Sequence, residues 1–170
     1  MKHIIYVLFI TSLLIINTTA CSHDNALRKS KKNYHKNAWK VNWMSLEEGL
    51  SASETLKKPL LVDFGVEEGC HRCEFIQKNI YGNDEIVGKI NSDFVPIFID
   101  LGKPLSSREI ALGKKYDFKH DCLLLFLNHK SEVINNPEGG EMCFVGKIEP
   151  REFIAYLDFI ILSYNHNITN

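Results

Sequence analysis

Two cysteines separated by two residues are the most reactive feature of this sequence. The stretch VDFGVEEGCHRCEF runs from an apolar segment into Cys70 and Cys73, with His71 and Arg72 between them. Two thiols at this spacing can exchange electrons with another disulfide, supply half of a metal site, or form a static cross-link. Positions i and i+3 of a helix share a face, so the two sulfurs meet if a helix begins at Cys70.

The elements that would position this pair follow from hydropathy and capping signals. Helices are predicted to begin near Ser45, Cys70, Asp84, either Ser106 or Ser107, and Pro150. Apolar runs predict strands over residues 60–66, 94–101, 123–127 and 142–145. Strands that alternate with helices and close in a hairpin predict an α/β fold, with a central mixed β-sheet flanked by helices.

In this arrangement the sequence resembles the thioredoxin superfamily, most closely its exported thioredoxin-like (thiol:disulfide interchange) branch. The segments KPLLVDF, CHRC, NSDFVPIFID and PREFIAYL occur in that family's order within residues 43–160. The resemblance implies a thioredoxin-like fold and thiol–disulfide exchange that needs no cofactor and no metal. It also implies that Cys70 is the attacking thiol and Cys73 the resolving one.

Three neighbours of the cysteines are expected to adjust their chemistry. The resemblance implies that Asp63, in the strand before the motif, exchanges a proton with Cys73; a plain strand or cap role is the alternative. A cation at His71 or Arg72 would stabilise the thiolate and make the pair more oxidising, while nearby glutamates oppose this effect. A solvent-exposed spacer is the other interpretation of His71.

The sequence departs from the family at Cys122, which stands where thioredoxins have a cis-proline facing the motif. The sulfur of Cys122 is a candidate third redox thiol that accepts the disulfide and passes it to Cys143. The alternative is a small residue packed in the core, which is how most buried free cysteines behave.

Two other functions stay open beside an oxidoreductase. One is a non-catalytic thioredoxin-like scaffold, which the missing proline favours. The other is a metal or iron–sulfur binding module, in which Cys70, Cys73 and Cys122 join His71 or His120 as ligands.

The N-terminus carries the features of an exported chain. Residues 1–20 combine Lys2, a short apolar run and small residues before Cys21, which predicts a signal peptide. The arrangement LIINTTAC resembles a bacterial lipoprotein signal, which implies a lipid on Cys21; ordinary secretion and an uncleaved anchor are the alternatives. Residues 21–38 are predicted to form a flexible basic tether, and residues 39–170 the thioredoxin-like domain.

The net charge of the chain and its predicted export limit the classes of partner that we expect. The formal net charge of −1 gives the chain no general attraction to nucleic acid. An export signal places the cysteines where disulfides form and persist. We therefore expect a protein anchored at the periplasmic side of a membrane through Cys21. Its partners would be cysteine-containing exported proteins or a redox protein that supplies or removes electrons.

Overall fold

The computed structural model describes residues 40–66, 70–116, 123–134 and 148–169. Outside these ranges lie the signal segment, the tether, the fourth predicted strand, and the predicted site residues Cys21, His120, Cys122 and Cys143. Within the described ranges, no helix is both long enough and apolar enough to cross a bilayer.

Helices and strands follow one another in the predicted order. The helices are α1 (Leu46–Leu56), α2 (His71–Asn79), α3 (Asp84–Asp93), α4 (Ser107–Lys115) and α5 (Pro150–Thr169). The strands are β1 (Leu60–Gly65), β2 (Val95–Asp100) and β3 (Leu123–Leu127). Each predicted strand in the described ranges is present, with ends within about a residue of those predicted.

The sheet is mixed, with β1 in the middle. Strand β1 pairs in parallel with β2 and antiparallel with β3. All six residues of β1 are buried. A mixed sheet flanked by helices confirms the predicted fold class.

The side chains of β1 alternate between two apolar layers, as the two-residue period of a strand requires. Leu61 belongs to the layer that contains residues of α2, α3 and α5. Val62 and Phe64 belong to the opposite layer, with residues of α1 and α4. Asp63 lies two residues after Leu61, so its side chain points into the layer of α2.

Helix starts follow the predicted capping chemistry in two cases and depart from it in one. Ser45 and Ser106 each form a complete capping box with the glutamate three residues later. At α3 the predicted cap Asp84 is wrong, because Asn83 holds that position. The Asn83 side-chain oxygen accepts two backbone N–H groups of the first turn, at 3.0 and 3.2 Å. Asp84 instead lies in the first turn, where its charge faces the positive end of the helix.

Gly49 and Gly88 form a matched pair for testing the packing of α1 on the sheet. A β-carbon at Gly49 would collide with the buried side chain of Ile97, whereas at Gly88 it would meet no atom within 4 Å. We expect Gly49→Ala to lower the free energy of unfolding by about 1–3 kcal/mol through overpacking. Gly88→Ala should raise it by about 0.5–1 kcal/mol, because alanine favours the helix. Urea denaturation measures both, and changes of the same sign would contradict the packing.

Candidate redox site at the start of α2

Cys70 is the N-cap residue of α2. Its backbone is extended, with φ −111° and ψ 106°, and its sulfur accepts the backbone N–H of Cys73 at 3.1 Å. The carbonyl of Cys70 accepts the N–H of Glu74 at 2.9 Å, which starts the helical ladder. An N-cap position exposes a group to unpaired N–H groups and to the positive end of the helix dipole. Both effects favour a negative charge on the Cys70 sulfur when it is reduced.

Cys70 and Cys73 are joined by a disulfide, and their α-carbons are 5.2 Å apart. The two cysteines differ in access to solvent. Cys70 is partly exposed, whereas Cys73 is 4% exposed and belongs to the apolar layer of α2. An attacking reagent therefore reaches Cys70 before it reaches Cys73.

The two residues between the cysteines differ in their exposure to solvent. The side chain of His71 is fully exposed, and its Nδ1 lies 3.6 Å from Oε2 of Glu74. The interpretation of His71 as an exposed spacer stays a prediction. Arg72 is partly buried. The tuning roles suggested for both residues stay predictions.

Asp63 lies in the dry interior of the same layer. It is 5% exposed, and its neighbours across the sheet are Phe98 and Leu124, both apolar. The hydroxyl of Tyr81 donates to Oδ2 of Asp63 at 2.6 Å. Burial raises the pKa of Asp63 from an ordinary 3.8 to about 6, and the hydrogen bond from Tyr81 offsets part of that rise.

Aromatic rings enclose this carboxyl. A β-carbon at Gly65 would lie 2.9 Å from the Phe98 ring and 3.5 Å from Oδ1 of Asp63, so glycine allows the close approach of that ring. Trp43 packs edge to face on Tyr81, with centroids 5.1 Å apart, and also contacts Phe98 at 5.8 Å. The rings exclude water, which is why burial dominates the shift in the pKa of Asp63.

Tyr81 was not predicted from the sequence as part of this site. It lies two residues after the end of α2, in the turn that follows the helix. Its signal was present in the apolar period of α2, because Cys73, Ile76 and Ile80 lead to it along one face. The apolar period does not indicate a partner for the hydroxyl, which Asp63 of β1 supplies in the folded protein.

The part of the chain that the structure describes gives no support to the hypothesis of a metal site. No group of three or more His, Cys, Asp or Glu side chains in these ranges is arranged to hold a metal ion. Cys70 and Cys73 are engaged in their disulfide, and Cys122 and His120 lie outside the described residues.

Comparison with known families gives a match over the N-terminal part of the domain. A family model described as "Thioredox_DsbH: Protein of unknown function, DUF255" matches residues 24–104. This range contains Asp63, Cys70, Cys73 and Tyr81. No curated protein sequence matches the chain.

Solved structures share the fold at low sequence identity. A structure described as "DsbH Oxidoreductase" is 17% identical, with a TM-score of 0.59, and the match covers 72% of this chain and 85% of that chain. A disulphide isomerase from Xylella fastidiosa Temecula1 is 21% identical, with a TM-score of 0.52 and coverage of 68% and 87%. A thioredoxin from Thermus thermophilus is 16% identical, with a TM-score of 0.50 and coverage of 73% and 89%. At these identities the likeness establishes a shared fold.

The buried carboxyl predicts how the stability of the domain depends on pH. The pKa of Asp63 is about 6 in the folded protein, above the ordinary 3.8 that applies to the unfolded chain. Between these values the folded state holds a proton that the unfolded state lacks, so stability falls as pH rises. This contribution is complete below about pH 4, is lost as pH rises through about 6, and amounts to about 3 kcal/mol.

Asp63→Asn isolates this contribution from the rest of the titration. Urea denaturation from acid to mildly alkaline pH should show wild-type stability falling, relative to the variant, across that interval. Parallel curves for the two proteins would show that the Asp63 carboxyl is not shifted.

Proposed function

We propose that this chain, which has the fold of the thioredoxin superfamily, is a thiol–disulfide oxidoreductase that acts through Cys70 and Cys73. The observation that carries the proposal is the position of the pair. One sulfur belongs to the partly exposed cap residue of α2, which follows the central strand along the chain, and its partner is buried one turn further along. A static cross-link needs no such difference in access, whereas two-step exchange does.

Cys70 is proposed as the nucleophile. In the reduced protein the N–H of Cys73, which reaches the Cys70 sulfur in the disulfide form, can donate to the thiolate. A cysteine stabilised in this way ionises at lower pH than a free thiol. The Cys70 thiolate attacks one sulfur of a client disulfide; the client S–S bond breaks, and the other client sulfur leaves as a thiolate that takes a proton.

Cys73 then resolves the mixed disulfide. The Cys73 thiol gives its proton to the Asp63 carboxylate and attacks the Cys70 sulfur. The Cys70–client bond breaks, the Cys70–Cys73 disulfide forms, and the second client sulfur leaves and is protonated. The client gains two electrons and two protons, the motif loses both, and the reverse sequence would oxidise a client dithiol.

Partners follow from this chemistry. The proposed clients are cysteine-containing exported proteins, and a second redox protein returns the motif to its starting state. The reduction potential of the pair relative to these partners sets the direction of electron flow. Neither half of the cycle uses an organic cofactor or a metal.

Single cysteine variants test the two roles. Reduced Cys73→Ser, treated with oxidised glutathione, should retain one glutathione on Cys70, because no resolving thiol removes it. Cys70→Ser should retain none at the motif, and the wild-type protein should release glutathione and form the internal disulfide. Peptide mapping by mass spectrometry identifies the modified cysteine.

Modification of Cys73 in Cys70→Ser, as fast as that of Cys70 in the matched variant, would refute the assignment. Motif thiols that resist glutathione in every variant, together with a potential below about −300 mV, would indicate the static scaffold instead.

We also propose that the domain is exported and held at the periplasmic side of a membrane by a lipid on Cys21. The support is in the sequence, where a short apolar segment ends in small residues directly before Cys21. The basic residues that follow would add attraction to anionic headgroups, about 1 kcal/mol each near the surface.

Mass spectrometry of the mature N-terminus tests the anchor. We expect the chain to begin at a lipid-modified Cys21 and to fractionate with membranes. Cys21→Ala should lose the lipid. A soluble mature chain that begins at unmodified Cys21 would refute the anchor without affecting the proposed exchange chemistry.

A further inference from the structure

The buried Asp63 carboxyl has one polar partner among the described residues. The Tyr81 hydroxyl donates to Oδ2 at 2.6 Å, and both side chains are buried, at 5% and 1% exposure. Burial raises the pKa of Tyr81 well above its ordinary value, the charge of Asp63 raises it further, and their hydrogen bond adds to the rise. Tyr81 therefore keeps its proton and is the donor throughout the pH range in which Asp63 titrates.

In the disulfide form, no other titratable group in the described ranges shifts the pKa of Asp63. The causes that act on its pKa are burial, which raises it, and the Tyr81 hydrogen bond, which lowers it. The strands on both sides present Phe98 and Leu124. In the layer that Asp63 faces, α2 contributes Cys73, and the buried residues of α3 are apolar. The buried residues of α5 there are also apolar, apart from Tyr164. The Tyr164 hydroxyl donates to the backbone carbonyl of Lys57 and lies 3.0 Å from Nδ1 of His129.

The position of Tyr81 is held by its surroundings. Its backbone N–H donates to the carbonyl of Ile76 at 3.0 Å, which extends the last turn of α2. A β-carbon on the next residue, Gly82, would collide with the carbonyl of Lys78, so glycine permits the tight turn here. The rings of Trp43 and Tyr81 pack in a T-shaped arrangement, with centroids 5.1 Å apart. The hydroxyl is thus fixed towards β1.

We infer that Tyr81 is a positioning residue, whose hydroxyl holds the Asp63 carboxyl in the layer that also contains Cys73 and keeps that carboxyl able to accept a proton at neutral pH. The inference rests on the proposed function and deepens it. Without the donor, the dry aromatic surroundings would favour the neutral acid, which already carries its proton and cannot take one from Cys73.

The consequence appears in the resolving step. With Tyr81 in place, the Asp63 carboxyl is largely ionised at neutral pH and can take the Cys73 proton as the Cys73–Cys70 bond forms. Losing a hydrogen bond to a charged carboxylate raises its titration midpoint by about one to two pH units. Removing the hydroxyl should move the onset of the resolving step to higher pH by that amount, with little effect on the attack by Cys70.

Tyr81→Phe tests the inference, with Tyr116→Phe as the matched control. Tyr116 is also a buried tyrosine, but it lies in the opposite layer, and its hydroxyl donates to the carbonyl of Ser131 at 3.1 Å. Infrared difference spectroscopy follows the protonated carboxyl of Asp63 through a pH titration, with Asp63→Asn to assign the band. We expect Tyr81→Phe to raise the titration midpoint by about one to two pH units, and Tyr116→Phe to leave it unchanged.

The exchange reaction supplies the second measurement. Reduced protein is mixed with 5,5′-dithiobis(2-nitrobenzoate) in a stopped-flow instrument, and the coloured thiolate is released in an attack phase and a resolving phase. Cys73→Ser identifies the resolving phase, because the variant lacks it. Below the wild-type midpoint, Tyr81→Phe should slow that phase by roughly 10- to 100-fold, and the attack phase should keep its pH dependence.

Distinct results separate this inference from the proposed function. An unchanged infrared midpoint in Tyr81→Phe overturns the inference, as does a raised midpoint that leaves the pH profile of an active enzyme unmoved. If the wild-type protein shows no resolving phase, the proposed function is refuted. The infrared titration midpoint of Asp63 then decides by itself whether Tyr81 acts on that carboxyl. If Tyr81→Phe does not fold, 3-fluorotyrosine at position 81 replaces it. This stronger donor should lower the midpoint, and a rise would overturn the inference.

Discussion

Strand β1 is paired with another strand on each edge and covered by helices on each face, and the geometry of the site follows from this. All six of its residues are buried, so its side chains enter one or the other of two dry layers. The chain leaves the sheet at the carboxyl end of β1, and α2 begins there with Cys70 as its cap. One central strand thereby places a carboxyl inside the protein and leads to a sulfur at its surface.

Burial of the Asp63 carboxyl has a cost in stability at neutral pH. An ionised carboxyl in this position weakens the fold by about 3 kcal/mol at neutral pH, a large fraction of the 5–15 kcal/mol that typically stabilises a domain. Tyr81 offers one hydrogen bond, and Trp43 and Phe98 supply rings rather than water. A buried acid that reduces stability and lies in the same layer as one cysteine of a disulfide is typical of a functional site.

The two cysteines lie in different electrostatic environments. Cys70 lies at the end of a helix, where N–H groups and the helix dipole stabilise a thiolate without a neighbouring base. Cys73 is one turn inside the helix and is surrounded by apolar side chains, which disfavour its ionised form. In the proposed exchange, Cys73 needs a proton acceptor in the same layer, and among the described residues Asp63 is the carboxyl that β1 directs there.

The sequence by itself determined the order of the elements, the fold class, and the position of Cys70 and Cys73 at a strand-to-helix junction. These are local properties, set by hydropathy period, by caps such as Ser45, and by the spacing of two residues within one helical turn. Only the tertiary structure decided what surrounds Asp63. Tyr81 is 18 residues away along the chain, and the two meet only because α2 folds back onto one face of β1. The partner of a buried polar side chain depends on which helix packs against that face of the strand. The hydropathy period shows that a side chain is buried, but it does not show which helix covers it.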